Sequence, residues 1–238
     1  MILWLNNTLQ NSDTTSIDPA DRGFLLGDGV FETIAVRDGN ILHLTDHLAR
    51  MKNGCQVLGL PIPKQNFEHI IHGILNANKM RDAAVRITVT RGKGARGIAP
   101  PENPMPTLLL TAAPLPAAQS PAQCIIATVT RRNEHSPLSR IKSLNYLDNI
   151  LARQEAVSRQ VDDALMLNTA GRVCAGTASN LFIVKDSRVM TPPLTDGVLP
   201  GIMRAEILAH TNGVEKTLSP DDVRHADEAF LTNSLGLR

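Results

Sequence analysis

Ala112-Ala-Pro-Leu-Pro-Ala-Ala-Gln-Ser-Pro121 is the stretch that decides how this chain is organised. Its prolines remove backbone donors and stop any helix or strand that enters it, and its other residues are small. The segment therefore reads as an interdomain linker, residues 113–121, between an N-terminal domain of residues 1–112 and a C-terminal domain of residues 122–238. The total of 238 residues suits two modest domains of that kind.

Ahead of the linker, Ile2-Leu-Trp-Leu-Asn-Asn reads as a short strand closed by a turn. Val30-Phe-Glu-Thr-Ile-Ala-Val-Arg reads as a strand, and Asp38-Gly-Asn before Ile41-Leu-His-Leu signals a hairpin. Thr45 is a candidate N-cap for a helix to about residue 58, with Leu48, Met51 and Cys55 on one face. A second helix is expected over about residues 65–77. Ala84-Val-Arg-Ile-Thr-Val-Thr alternates as a half-buried strand, and Pro106-Thr-Leu-Leu-Leu-Thr reads as its more buried neighbour.

Beyond the linker, a strand is expected at Cys124-Ile-Ile-Ala-Thr-Val-Thr and a helix over about residues 145–159. Further strands begin at Asp163, Val173, Asn180 and Arg188, and a helix follows Pro200-Gly201. Strands and helices mix without regular βαβ alternation, which makes the fold class α+β.

Composition excludes several functions. Formal net charge is +1 and only 3% of residues are aromatic, so neither a basic stripe nor stacking platforms for nucleic acid are indicated. No apolar run approaches the ~20 residues that span a bilayer. The first ten residues lack the basic and apolar regions of a signal peptide. Cys55, Cys124 and Cys174 are odd in number and lack metal-ligand spacing, as in a cytoplasmic protein with reduced thiols and no metal.

Chemistry enters at Arg140-Ile-Lys-Ser-Leu-Asn-Tyr-Leu-Asp-Asn. Lys142 lies between Ile141 and Leu144, ahead of a helix. Burial disfavours an ammonium, so a lysine in such a setting is a candidate for a neutral amine that attacks a carbonyl. Pyridoxal phosphate is the commonest carbonyl partner of a Schiff-base lysine.

Five segments, in order, resemble the fold-type IV pyridoxal-phosphate enzymes, the class-IV aminotransferases. They are Asp21-Arg-Gly-Phe-Leu-Leu-Gly-Asp-Gly-Val-Phe-Glu-Thr, Asp46-His-Leu-Ala-Arg-Met, Lys142-Ser-Leu-Asn-Tyr-Leu, Gly176-Thr-Ala-Ser-Asn-Leu-Phe and Leu199-Pro-Gly-Ile-Met-Arg. The resemblance implies a two-domain, D-amino acid aminotransferase-like fold. Its smaller N-terminal α/β domain and larger C-terminal domain would hold the cofactor between them, usually in a homodimer. Lys142 would be the Schiff-base lysine and general base. Arg50, Gly201, Ile202, Met203 and Ser234 would meet the phosphate, in keeping with the affinity of a helix N-terminus and a guanidinium for an anion. Ser179 and Asn180 would contribute to the cofactor site. Phe31 would border the pocket, and Arg96 would bind a substrate carboxylate. Gly23, Gly27 and Gly29 would permit a tight loop with positive φ.

One departure stands out. The family places a glutamate against the pyridine nitrogen where this chain has Ala175. Without a carboxylate there, the ring nitrogen tends to lose its proton and withdraws electrons less strongly. Arg91-Gly-Lys-Gly-Ala-Arg96-Gly is similar to a stretch typical of the 4-amino-4-deoxychorismate lyases, which release 4-aminobenzoate and pyruvate. The expected activity is therefore that lyase, with a D-amino or branched-chain aminotransferase as the alternative. A second alternative is a cofactor-binding protein with little turnover, suggested by Ala175 and by a chain that ends earlier than family members usually do.

Overall fold

In a computed structural model, residues 1–117 and 121–237 are described, so the middle of the expected linker, residues 118–120, lies outside the described residues. The chain forms two compact units. One comprises Met1–Pro116 with Ile141–Asn145, the other Ala117–Arg140 with Tyr146–Arg238.

The first unit contains β1 (Ile2–Leu5), β2 (Thr8–Asn11), α1 (Arg22–Leu26), β3 (Gly29–Arg37), β4 (Asn40–Ile41), α2 (Leu44–Leu58), α3 (Phe67–Asn78), β5 (Ala83–Thr90) and β6 (Thr107–Ala113). Its antiparallel sheet has the order β2-β1-β6-β5-β3-β4. Alternation sets the two faces. Val85, Ile87 and Val89 of β5 are fully buried and pack with Val30, Ile34 and Val36 of β3, and with Met51, Ile71 and Ile74 of α2 and α3. Burying each such side chain is worth about 1.5–3 kcal/mol. Phe31, Thr33, Arg86 and Thr88 point to the other face, by the same alternation and the register that pairs Phe31 with Thr88 and Thr33 with Arg86.

The hairpin between β3 and β4 forms at Asp38 (φ 48°) and Gly39 (φ 80°), both left-handed as a two-residue turn requires. Thr45 is not the N-cap of α2. His43 takes that position at φ 52° without a side-chain cap bond, which ends β4 early and starts the helix at Leu44. For α3 the cap is Asn66, whose side chain accepts from the His69 N–H at 3.0 Å. The three loop glycines divide by cause. Gly27 alone adopts positive φ, at 67°, whereas a Cβ at Gly23 or Gly29 would run into Thr90 or the Val89 carbonyl.

Ile141–Asn145 packs in the first unit through backbone pairing along β3. The Phe31 N–H donates to the Lys142 carbonyl, and the Leu144 N–H to the Gly29 carbonyl, both at 2.9 Å. A division at the linker alone therefore leaves the lysine in the wrong unit.

The second unit contains β7 (Cys124–Ile126), α4 (Leu147–Ser158), β8 (Asp163–Leu167), β9 (Val173–Ala175), β10 (Asn180–Lys185), β11 (Arg188–Thr191), α5 (Ile202–Thr211), β12 (Val214–Glu215), α6 (Pro220–Arg224), β13 (Glu228–Asn233) and β14 (Gly236–Leu237). The strands run β12-β11-β10-β9-β8-β7, with β13 added to β10 and β14 to β13. Leu165, Leu181, Ile183, Leu218 and Leu231 form its main core, and Ala152, Ala156 and Ala164 let α4 approach β8 closely. β7 is shorter than expected because Thr128 and Val129 turn their N–H groups to the Glu155 carboxylate, at 2.7 and 3.2 Å, and leave the ladder.

Candidate active site

Lys142 is half-buried, with its backbone fixed against β3. Its Nζ lies 4.3 Å from the centre of the Phe31 ring, and the Arg86 guanidinium carbon lies 3.8 Å from the same centre. A cation over an aromatic face gains roughly 0.5–2 kcal/mol, so one ring holds both heads in place. Lys142 and Phe31, both named from the sequence, are thus neighbours, and Arg86, which sequence reasoning did not single out, joins them. A lone arginine in an alternating strand looks like a solvated face. Only the register of β3 against β5 shows that it shares a face with Phe31.

Arg50 follows His47 by one helical turn, and both reach Glu32 on the opposite, core-facing side of β3. Arg50 donates from Nε at 2.8 Å and from Nη2 at 2.6 Å to the two carboxylate oxygens. His47 Nδ1 lies 2.7 Å from Oε2. Burial works to raise the Glu32 carboxyl, but the bonds from Arg50 and His47 outweigh it and hold the group below its usual range. Two of the guanidinium nitrogens assigned to phosphate from the sequence are therefore committed to Glu32. The alternation of β3 sets Glu32 on the face away from Phe31.

Arg96 is exposed, on the loop between β5 and β6. Asp21 closes the neck of this loop by accepting from Thr90 at 2.9 Å and Thr107 at 2.6 Å. Asp28 accepts from Arg91 Nε at 2.7 Å and Arg22 Nε at 2.9 Å. Burial pushes the Asp28 carboxyl up, and the two arginines more than reverse this. Gly92 is required at φ 77°, where a Cβ would enter the Met105 carbonyl. Arg91 is a structural residue, since it also donates to the Leu58 and Gly59 carbonyls.

In the second unit, Gly201 is the N-cap of α5 and offers no side chain to cap it. The first N–H groups of Ile202 and Met203 thus lack an intrahelical partner. Asn180 donates to the Leu199 carbonyl at 3.0 Å, and a Cβ at Gly201 would collide with Asn180 Oδ1. Directly opposite Asn180 on β13 is Thr232, whose buried Oγ1 has no partner. An uncapped helix start beside a buried, unclaimed hydroxyl fits a phosphate group. Thr232 was missed in favour of Ser234, which lies half-buried in the turn after β13. Ser179 Oγ is likewise buried without a partner, but it lies against Gly176, beside Asp163 and Leu231.

Ala175 is buried; its apolar neighbours are Cys174, Val198 and Leu194, and Asn180 lies opposite it in the ladder. Asp196 accepts the Cys174 thiol through its carbonyl at 3.1 Å, and its carboxylate is taken by Arg172 and Thr217 at 3.1 and 3.0 Å. A cavity of about 760 Å³ in this unit, bounded by Ile125, Leu181, Val223 and Phe230, contains none of the sequence-predicted site residues. Among the described residues there is no cluster of metal-ligating side chains, and no helix is long and apolar enough to cross a membrane.

Comparison with known proteins adds the chemistry. Residues 29–238 match the family described as amino-transferase class IV. The protein of Methanocaldococcus jannaschii named "Putative branched-chain-amino-acid aminotransferase" is 35% identical over 98% of this chain and 84% of its own. The D-alanine aminotransferase of Bacillus licheniformis is 28% identical over 98% and 85%. The crystal structure of 4-amino-4-deoxychorismate lyase from Pseudomonas aeruginosa superposes with a TM-score of 0.85, at 33% identity, over 99% of this chain and 88% of that one.

Proposed function

The chain belongs to the class IV aminotransferase family, whose enzymes depend on pyridoxal phosphate, and on that premise we propose that it is a 4-amino-4-deoxychorismate lyase. The residues fit the cofactor. Ile202, Met203, Thr232 and Ser234 would hold the phosphate, and Arg50, its plane fixed by Glu32, would add positive charge. Asn180 supports the loop at Gly201. Lys142 would carry the covalent bond. When bound, the cofactor withdraws electrons from the carbon that bears the substrate amine.

The protein's own groups would do the rest. The Lys142 amine removes the ring proton beside the substrate nitrogen, and the C–O bond to the enolpyruvyl group breaks. The proton goes to the departing group, so 4-aminobenzoate and pyruvate account for every atom of the substrate. Arg86, over the Phe31 ring, and Arg96, on the clamped loop, would each take one of the two substrate carboxylates.

The observation that carries the choice is the buried alanine at position 175, which offers no carboxylate of its own. A weaker electron sink penalises proton removal from an ordinary amino acid. The lyase reaction is helped by the aromaticity of its product and tolerates that loss better. An aminotransferase is the second reading, favoured by the 35% identity with the Methanocaldococcus relative.

The test is to assay the holoenzyme with aminodeoxychorismate, D-alanine and L-leucine side by side, with 2-oxoglutarate as acceptor. Formation of 4-aminobenzoate with negligible keto acid supports the lyase. Amino transfer without 4-aminobenzoate overturns it, and silence with all three points to a binder without turnover.

A further inference from the structure

We infer that Arg22 is a positioning residue for substrate carboxylate, acting through the loop that carries Arg96. The inference rests on the functional reading above, in which Arg96 binds that carboxylate. Arg22 is 4% exposed although it opens a short helix, so its charge is spent inside the protein. Nη1 donates to the Gly97 and Ala99 carbonyls at 3.0 and 3.1 Å, and Nη2 to the Ile98 carbonyl at 2.8 Å. Nε is held by Asp28 at 2.9 Å. One guanidinium thus grips the three residues that follow Arg96.

The surroundings are shaped for that grip. The Arg22 N–H donates to the Gly92 carbonyl at 2.9 Å, and the Gly94 N–H to the Ala20 carbonyl at 3.2 Å. A Cβ at Gly94 would lie 2.9 Å from Arg22 Cδ, so only glycine lets the loop cross the arginine stem there. Asp28 also holds Arg91 at the loop's start. The exposed Arg96 gains a fixed backbone from these bonds while its own head stays in solvent. Holding a binding group in place matters because a shift of about 1 Å at a reacting site can cost on the order of a hundredfold.

A lysine at position 22 would keep the ion pair with Asp28, but a point charge cannot bridge three carbonyls as a planar fork does. The test compares wild type, Arg22→Lys, Arg22→Gln, Arg96→Gln and the double variant Arg22→Gln/Arg96→Gln. Each is reconstituted with pyridoxal phosphate and assayed with the carboxylate substrate that the wild type turns over. Each is also titrated with propylamine, which has no carboxylate, by the change in visible absorption.

Both Arg22 variants are expected to raise KM for the carboxylate substrate on the order of tenfold, with kcat little changed. Propylamine binding should match wild type, and the double variant should be no worse than Arg96→Gln alone. Trypsin should also cut after Arg96 faster in both Arg22 variants, with or without cofactor. Equal losses toward propylamine, additive effects in the double variant, or unchanged cleavage after Arg96 would each overturn the inference while the functional reading stands. A wild-type holoenzyme silent toward every amine would overturn the reading, and the inference with it.

Discussion

Replacing Glu32 with Gln should unfold the first unit far more easily, and the size of the effect follows from what the carboxylate holds. Glu32 is fully buried and accepts two bonds from Arg50, at 2.8 and 2.6 Å, with His47 at 2.7 Å. Glutamine keeps the shape but removes the charge, and its amide NH₂ would face an arginine donor. Arg50, itself 8% exposed, is left as a buried cation without its counter-charge. Breaking one partner of a buried pair costs about 3–5 kcal/mol, a large part of a total stability near 5–15 kcal/mol. Trp4 is the sole tryptophan and lies in the core of this unit, so its fluorescence in urea follows the relevant transition. With a slope of about 1–3 kcal/mol per molar, the midpoint should fall by at least about 1 M. The difference should also shrink in acid. Glu32 titrates below its ordinary 4.5 in the folded protein, so its contribution is complete above that pH and disappears as pH falls through the lowered value. A loss under about 1 kcal/mol, the worth of an exposed pair, would refute the reasoning.

Three other outcomes are expected. Gly92→Ala should lower stability by more than about 1 kcal/mol, read by the same urea titration, because the residue sits at φ 77° against the Met105 carbonyl. Ser219→Ala should cost about 1 kcal/mol by removing the cap of α6. Ser219 is also the chief cause that pushes Asp222 down to about 2, so thermal unfolding should show the contribution intact above the ordinary 3.8 and lost as pH falls through about 2. In native alkylation at about pH 8 followed by mass spectrometry, exposed Cys124 should react. Cys55 and Cys174 should stay unmodified, since burial pushes their thiols up to about 11 and about 12.

Much of this was legible in the residues, for reasons of reach. β3, β5 and α3 announce themselves by local period, and the Asp38-Gly39 turn by its residue types. Lys142 and the Pro200-Gly201 helix start were legible as motifs. The α+β class and the family follow from the same segments. What escaped depends on contacts distant in sequence. Arg86 acquires meaning only from register with Thr33, and Thr232 only from its place opposite Asn180. Thr45 looked like a cap because residue type hides the left-handed backbone at His43. The linker marks a change in composition, but it could not show that Ile141–Asn145 returns to pair with β3.

The most direct measurement is borohydride reduction of the cofactor-loaded protein followed by peptide mass spectrometry. The account predicts a phosphopyridoxyl group on Lys142 in the wild type and none in Lys142→Ala. Attachment at a different lysine, or a loaded wild type that yields no adduct, would contradict it.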